Sequence, residues 1–149
     1  MKRTMFVAGV LMFWMVGAAS AGEFEKSVPF AFDQWFDIGS NEGPATLHRI
    51  RIVREKASAK SRIMRPGNSE YLQDVQIQLE YTNDASRDWE VKMRVEWLDD
   101  KGVAIDGYND EENLDSDSRH DQATVTLSTL RYGLERAKTL SMRLEYHPE

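Results

Sequence analysis

The side chains best suited to metal binding or catalysis are three histidines and a dense group of acids. His48, His120 and His147 are far apart in the sequence, without the short spacing typical of metal-ligand pairs. No Gly-x-Ser-x-Gly elbow and no glycine-rich phosphate loop is present. Because the chain contains no cysteine, disulfides, thiolate metal sites and cysteine nucleophiles are excluded. We therefore expect no enzymatic activity, no catalytic residue, no bound metal and no cofactor.

Acidic residues are most concentrated between residues 106 and 121. The seven acids there are Asp106, Asp110, Glu111, Glu112, Asp115, Asp117 and Asp121. Such oxygen ligands suit calcium, but no glycine stands at the sixth position of a loop that starts at Asp110 or Asp115, as an EF-hand requires. The sequence predicts a solvated acidic loop at 106–121, and calcium binding by this loop is the alternative.

Basic residues are concentrated in an earlier segment, which also contains the acid Glu55. Its members are Arg49, Arg51, Arg54, Lys56, Lys60, Arg62 and Arg65. A patch of this kind can meet an anionic lipid headgroup, a polyanionic glycan or an acidic protein. In the alternative interpretation, the segment faces the acidic loop of the same domain. We expect these seven residues to contact an anionic partner.

The N-terminus has the three parts of a secretory signal. Lys2 and Arg3 precede an apolar stretch, and small residues follow up to Ala21. We expect cleavage after Ala21, which leaves a single domain of residues 22–149 in the periplasm; secretion, or an uncleaved inner-membrane anchor, is the alternative. Because the segment carries two bases and no acid, the mature chain is more acidic than the net charge of −6 indicates. An acidic exported protein is not expected to bind nucleic acid.

The elements that must position these residues are short strands. Apolar residues alternate with polar ones in most of the mature chain, as in Val91, Met93, Val95 and Trp97, which predicts strands with one buried face. Residues 82–88 are turn formers and predict a hairpin between two such strands. Asp99 to Gly102 predicts a second hairpin, followed by a short strand at 103–106. Residues 130–138 fit a turn or a single helical turn.

These features together predict the fold class. Six to seven short strands joined by local turns favour an antiparallel, immunoglobulin-like β-sandwich. The aromatic residues on the apolar phase are expected in its core, although they could instead form a glycan platform; they are Tyr71, Tyr81, Trp89, Trp97 and Tyr146. A second aromatic group, expected to pack an N-terminal strand or else to form a docking patch, comprises Phe24, Phe30, Phe32, Trp35 and Phe36.

A family resemblance rests on residues 95–102, which read Val-Glu-Trp-Leu-Asp-Asp-Lys-Gly. This strand and turn, with the strand that ends near Asn83, resemble the YcfL-like periplasmic family and the FxLYD domain. The resemblance covers about a third of the mature chain. It implies an immunoglobulin-like accessory domain of a bacterial envelope, and it transfers no catalytic residues.

The sequence therefore predicts an accessory binding domain of the cell envelope. It would contact a protein or another envelope component through a sheet edge or its loops. The alternative is a ligand-binding module for calcium or a glycan that uses the acidic loop 106–121 or the aromatic residues.

Overall fold

Two four-stranded antiparallel sheets pack face to face in the computed structural model, which describes residues 23–56 and 71–149. The strands are β1 (Glu23–Pro29), β2 (Phe36–Glu42), β3 (Ala45–Arg54), β4 (Leu72–Asn83), β5 (Trp89–Leu98), β6 (Ala104–Leu114), β7 (Ser118–Leu130) and β8 (Thr139–Pro148). A short helix, α1 (Arg131–Arg136), lies between β7 and β8. Sheet A has the order β1-β8-β5-β6, and sheet B has the order β2-β3-β4-β7. The predicted all-β sandwich is confirmed, with eight strands in the described residues.

The second half of the described chain follows an immunoglobulin-like path. Strand β4 pairs with β7 in sheet B, whereas β5 pairs with both β6 and β8 in sheet A. Strands B, C, C′, E and F of immunoglobulin variable-type domains alternate between sheets in the same way. Trp97 is fully buried on β5, which corresponds to strand C, the strand that carries the buried tryptophan of that fold.

The core lies between the sheets and is built from the apolar phase of the strands. Residues on the apolar phase of β4, β5 and β8 that are at most 1% exposed are Val75, Ile77, Leu79, Val91, Met93, Val95, Trp97, Leu140, Met142 and Leu144. Val125 and Leu127 lie on the apolar phase of β7, but they are only half-buried because β7 is an edge strand. Tyr71 lies just before β4 and is 67% exposed, so its predicted place in the core is wrong.

Residues 82–88 do not form the predicted hairpin, because they carry the chain from sheet B to sheet A. The side-chain amide of Asn83 stabilises this connection between the sheets. Its Nδ2 donates to the carbonyl oxygens of Arg87 and Leu114, and its Oδ1 accepts from the backbone N–H of Ala85. An alternating strand shows which of its faces is buried but not which strand it pairs with. The hairpin at Asp99–Gly102 is confirmed, with Gly102 at a φ of 77°.

The predicted acidic loop at 106–121 is also wrong. Strand β6 extends to Leu114 and β7 begins at Ser118, so only residues 115–117 connect the two strands. Five of the seven acids therefore lie on the edge strands of two different sheets. Acidic side chains on an edge strand stay solvated and discourage pairing with other chains, so their density does not require a loop.

Several predictions fall outside the described residues. They are the signal segment 1–21 and the basic residues Lys60, Arg62 and Arg65. Within 23–56 and 71–149, no helix has the length and apolar character needed to cross a membrane.

Candidate functional site

A β-bulge in β3 places two adjacent polar side chains on the outer face of sheet B. Leu47 and Ile50 are both buried although three positions apart, which a regular strand does not allow because its side chains alternate. The register with β4 shifts between Leu47 and Arg49. His48 and Arg49 therefore both face outward, as bulges near functional sites commonly re-aim side chains.

A second irregularity lies on the other side of β4, at the start of β7. The register between the two strands shifts between Tyr81 and Asn83, and His120 has a φ of 49°. This left-handed backbone conformation is uncommon for a residue with a side chain and tends to occur at functional positions. The backbone N–H of His120 donates to Oγ1 of Thr82 at 3.1 Å, which holds the start of β7 against the end of β4.

The two irregularities bring His48 and His120 into contact above β4; we refer to this pair as the histidine stack. The ring centroids are 4.3 Å apart, and the rings are inclined by 15°. Nε2 of His48 lies 2.7 Å from Oγ1 of Thr82, and Nδ1 of His120 lies 2.9 Å from Oε1 of Glu80. Each ring is thus fixed by a different side chain of β4.

Glu80 connects the histidine stack to the basic segment. Its carboxylate is largely buried, and Oε2 accepts from Nε of Arg49 at 2.7 Å and lies 2.6 Å from Nη2. The hydrogen bond with His120, followed by the bond and charge of Arg49, lowers the pKa of Glu80. Burial, with the charges of His120 and Arg49, lowers the pKa of His48.

Next to this cluster, three arginines of β3 lie over two aromatic rings; we call this the arginine–aromatic strip. The guanidinium carbons of Arg49 and Arg51 are each 4.6 Å from the ring centroid of Trp35. The guanidinium carbon of Arg54 is 4.1 Å from the ring centroid of Phe32. Neither aromatic residue belongs to a strand, so the segment between β1 and β2 supplies both rings. Cation–π contacts of this kind orient the guanidinium groups.

The groups assembled here are suited to anion recognition. The hydroxyl of Thr82 has an imidazole beside it, but the carboxylate of Glu80 contacts the other histidine, so the groups do not form the linear relay of a catalytic triad. Arginine side chains, by contrast, bind carboxylates and phosphates through paired N–H groups.

The structure brings together the described part of the basic segment but does not join it to the acids. Arg49, Arg51 and Arg54 share the strip, and Lys56 is exposed just beyond β3. No ion pair between described residues links them to the acids of 106–121; Arg49 pairs with Glu80 instead. Nor do three or more histidines and acids converge as a metal site anywhere in the described ranges.

Sequence reasoning missed the histidine stack. A signal for half of it exists, since the change of phase between Leu47 and Ile50 marks a bulge at His48. No sequence signal indicates that His120 lies beside it, because that contact requires β4 to pair with both β3 and β7.

Comparisons with known proteins do not assign the chain to a family. No protein-family model matches the chain, and no curated protein matches it. Among solved structures, it is similar to the Avr2 effector protein from the fungal plant pathogen Fusarium oxysporum, with a TM-score of 0.35 and 14% identity over 86% of this chain and 90% of that chain. A TM-score at this level does not establish a shared fold. The resemblance to the YcfL-like and FxLYD families remains a prediction.

Proposed function

We propose that the protein is a non-enzymatic accessory domain of the bacterial cell envelope, exported to the periplasm, that binds an anionic partner through the outer face of sheet B. The observation that supports this most is the arginine–aromatic strip. Arg49 and Arg51 hold their guanidinium groups over Trp35 on the outer face of sheet B. Arg54, which shares the phase of the inward Ile52 at the end of β3, lies over Phe32. The partner is an envelope protein or another anionic envelope component.

Much of the positive charge of the strip is not neutralised within the described residues. Among them, Arg49 is the one basic residue of the segment with a carboxylate at ion-pair distance. Arg51 donates from Nε and Nη2 to the amide oxygen of Gln78, which carries no charge. Because the ring contacts already restrict the side chains, an incoming anion would order them at a lower cost in entropy.

The outer face of sheet A provides a natural contrast. Its arginines Arg94 and Arg143 have carboxylate partners, with Nε atoms 3.0 Å from Glu96 and 3.1 Å from Glu23. Both of these arginines are thus neutralised, whereas in the arginine–aromatic strip Arg51 and Arg54 are held beside rings and an amide, and Arg49 alone has a carboxylate partner among the described residues. This difference favours sheet B as the anion-binding face.

The test compares two double variants of the purified protein. Arg51→Ser with Arg54→Ser removes charge from the strip without removing the partner of Glu80, and Arg94→Ser with Arg143→Ser is the matched control on sheet A. We expect the first pair to lose capture of envelope components, and we expect wild-type binding to weaken from low to physiological salt. Vesicles rich in phosphatidylglycerol, compared with phosphatidylcholine vesicles, separate a lipid from a protein partner. Equal binding by both double variants would contradict the proposed face.

Export is tested separately. Mass spectrometry of the periplasmic fraction should find a chain that starts at Gly22, because Ala21 is the last of the small residues that form the cleavage region of the signal. A chain that keeps Met1 and stays with the inner membrane would contradict the location.

A further inference from the structure

The edges of the two sheets differ in how well they resist pairing with another strand. Natural edge strands are blocked by charges, proline, short length or irregular backbone. The edge strands β1, β2 and β6 each carry such features. These are Glu23, Glu25, Lys26 and Pro29 in β1; the shift between Asp37 and Ser40 in β2; and Asp110, Glu111 and Glu112 in β6.

The fourth edge, β7, lacks these features over most of its length. Residues 122–130 contain no charged residue and no proline. They keep unbroken register with β4, from Gln122 opposite Glu80 to Leu130 opposite Leu72. Threonine, valine and leucine dominate this stretch, and the first two favour strands. An edge of this kind is a template for strand addition.

The inward side chains of β7 are also incompletely covered. Val125 and Leu127 are half-buried, whereas their partners on β4, Ile77 and Val75, are fully buried. A further strand beside β7 would place its own inward side chains against these two residues. Pairing there would therefore extend the core as well as the sheet.

We propose that a second copy of this chain pairs with β7 in antiparallel fashion, about a two-fold axis at Thr126. With this axis, Val125 faces the partner's Leu127, and Thr126 faces the partner's Thr126. At both ends of the paired region, Asp121 comes close to the partner's Arg131, which is the first residue of α1 and whose N–H still continues the ladder of β7 by donating to the carbonyl oxygen of Tyr71 at 2.8 Å. The surface is self-complementary, as a two-fold interface requires.

The charged residues at the two ends of β7 favour this axis over the axes one residue to either side. Side chains directly opposite each other must point to the same face, so the axis passes through a residue and shifts in whole-residue steps. An axis at Val125 would bring Arg131 beside the partner's Arg119, and an axis at Leu127 would carry Asp121 beyond the end of the partner's β7, at Leu130, to its helix α1. Opposite charges across strands stabilise the pair and like charges destabilise it, so the axis at Thr126 is favoured.

The absence of cysteine from the chain allows a crosslinking test of this register. Thr126→Cys would place the two new thiols directly across the axis, where opposite Cβ atoms lie about 4.5–5.5 Å apart. Thr124→Cys is the matched control, because its copies would be four residues apart, about 13 Å. A disulfide cannot span that distance. We expect rapid crosslinking of Thr126→Cys under mild oxidation and little of Thr124→Cys or of Ser27→Cys on β1.

A charge exchange tests the same interface without cysteine. Asp121→Arg and Arg131→Asp should each weaken the dimer roughly 2- to 30-fold, because each alters two charge pairs per dimer. The double variant should restore it. Sedimentation velocity measures association across a concentration series, and circular dichroism confirms that each variant is folded.

Two results would overturn the proposal. One is a wild-type protein that stays monomeric at every concentration, which would direct the search to an extended segment of another protein. The other is a dimer that crosslinks at Thr124 or Ser27 as well as at Thr126. This inference does not depend on the proposed anion-binding face, so either can fail alone.

Discussion

Removing the Glu80 carboxylate should measure how much its two contacts on the outer face of sheet B contribute to the free energy of unfolding. Glu80 is 8% exposed and contacts Arg49 and His120 at once. A hydrogen bond to a charged group contributes about 1.5–3 kcal/mol when it is well shielded. The side chains of Arg49 and His120 are 41% and 68% exposed, so water screens both contacts. We therefore expect Glu80→Ala to lower the free energy of unfolding by about 1–2 kcal/mol in total.

Urea unfolding at pH 7 provides the measurement, with Glu145→Ala as the matched control. Glu145 is exposed and lies 3.6 Å from His147, so its loss should cost less than about 0.5 kcal/mol. Glu80→Gln keeps one acceptor oxygen and should fall between the two variants. The reasoning fails if Glu80→Ala is no more destabilising than the control. It also fails if the loss exceeds about 4 kcal/mol, a value typical of breaking a fully buried ion pair.

Three further predictions concern stability. The pKa of His48 is lowered from 6.5 in the folded protein, so below pH 6.5 the unfolded chain binds more protons than the folded one. The free energy of unfolding should therefore decline as the pH falls below 6.5. His48→Asn should flatten this part of the plot of unfolding free energy against pH. A Cβ at Gly107 would lie 2.2 Å from the carbonyl oxygen of Val95, so Gly107→Ala should cost about 1–3 kcal/mol in urea unfolding, and an unchanged midpoint would contradict that contact. Trp97→Ala should cost about 3–5 kcal/mol as a buried large-to-small change, whereas Lys92→Ala should have little effect; the reverse order would mean that the buried face of β5 was misassigned.

The sequence contains enough information to predict strands β4, β5 and β8 and their buried faces. Alternation in β4, β5 and β8 predicts which residues are buried, because each strand of a sandwich has one buried and one solvent-exposed face. It does not distinguish a hairpin at 82–88 from a crossing between sheets, since both arrangements bury the same residues. The acids of β6 led to the wrong prediction of a loop, because water reaches charged side chains on an edge strand as readily as those in a loop.

Less of the candidate site was predictable. Arg49, Arg51 and Arg54 were identified by charge alone, and alternation places Arg49 and Arg51 on one face. The ring of Trp35 beneath two of these arginines depends on how the segment after β1 folds over sheet B, which is a tertiary contact without a local signal.

The position of β8 has a consequence for how the chain folds. In sheet A, β8 lies between β1 and β5, and its contact with β1 joins residues 118 positions apart, Glu25 and Arg143. The ribosome makes β8 after every other described strand, yet β8 fills an inner place in its sheet. Until it emerges, β1 has no neighbour in sheet A, and β5 and β6 form only a two-stranded hairpin against the complete sheet B, with one edge of β5 unpaired. Folding of this domain should therefore follow its synthesis instead of accompanying it, and its rate should be set by closure of the longest loop.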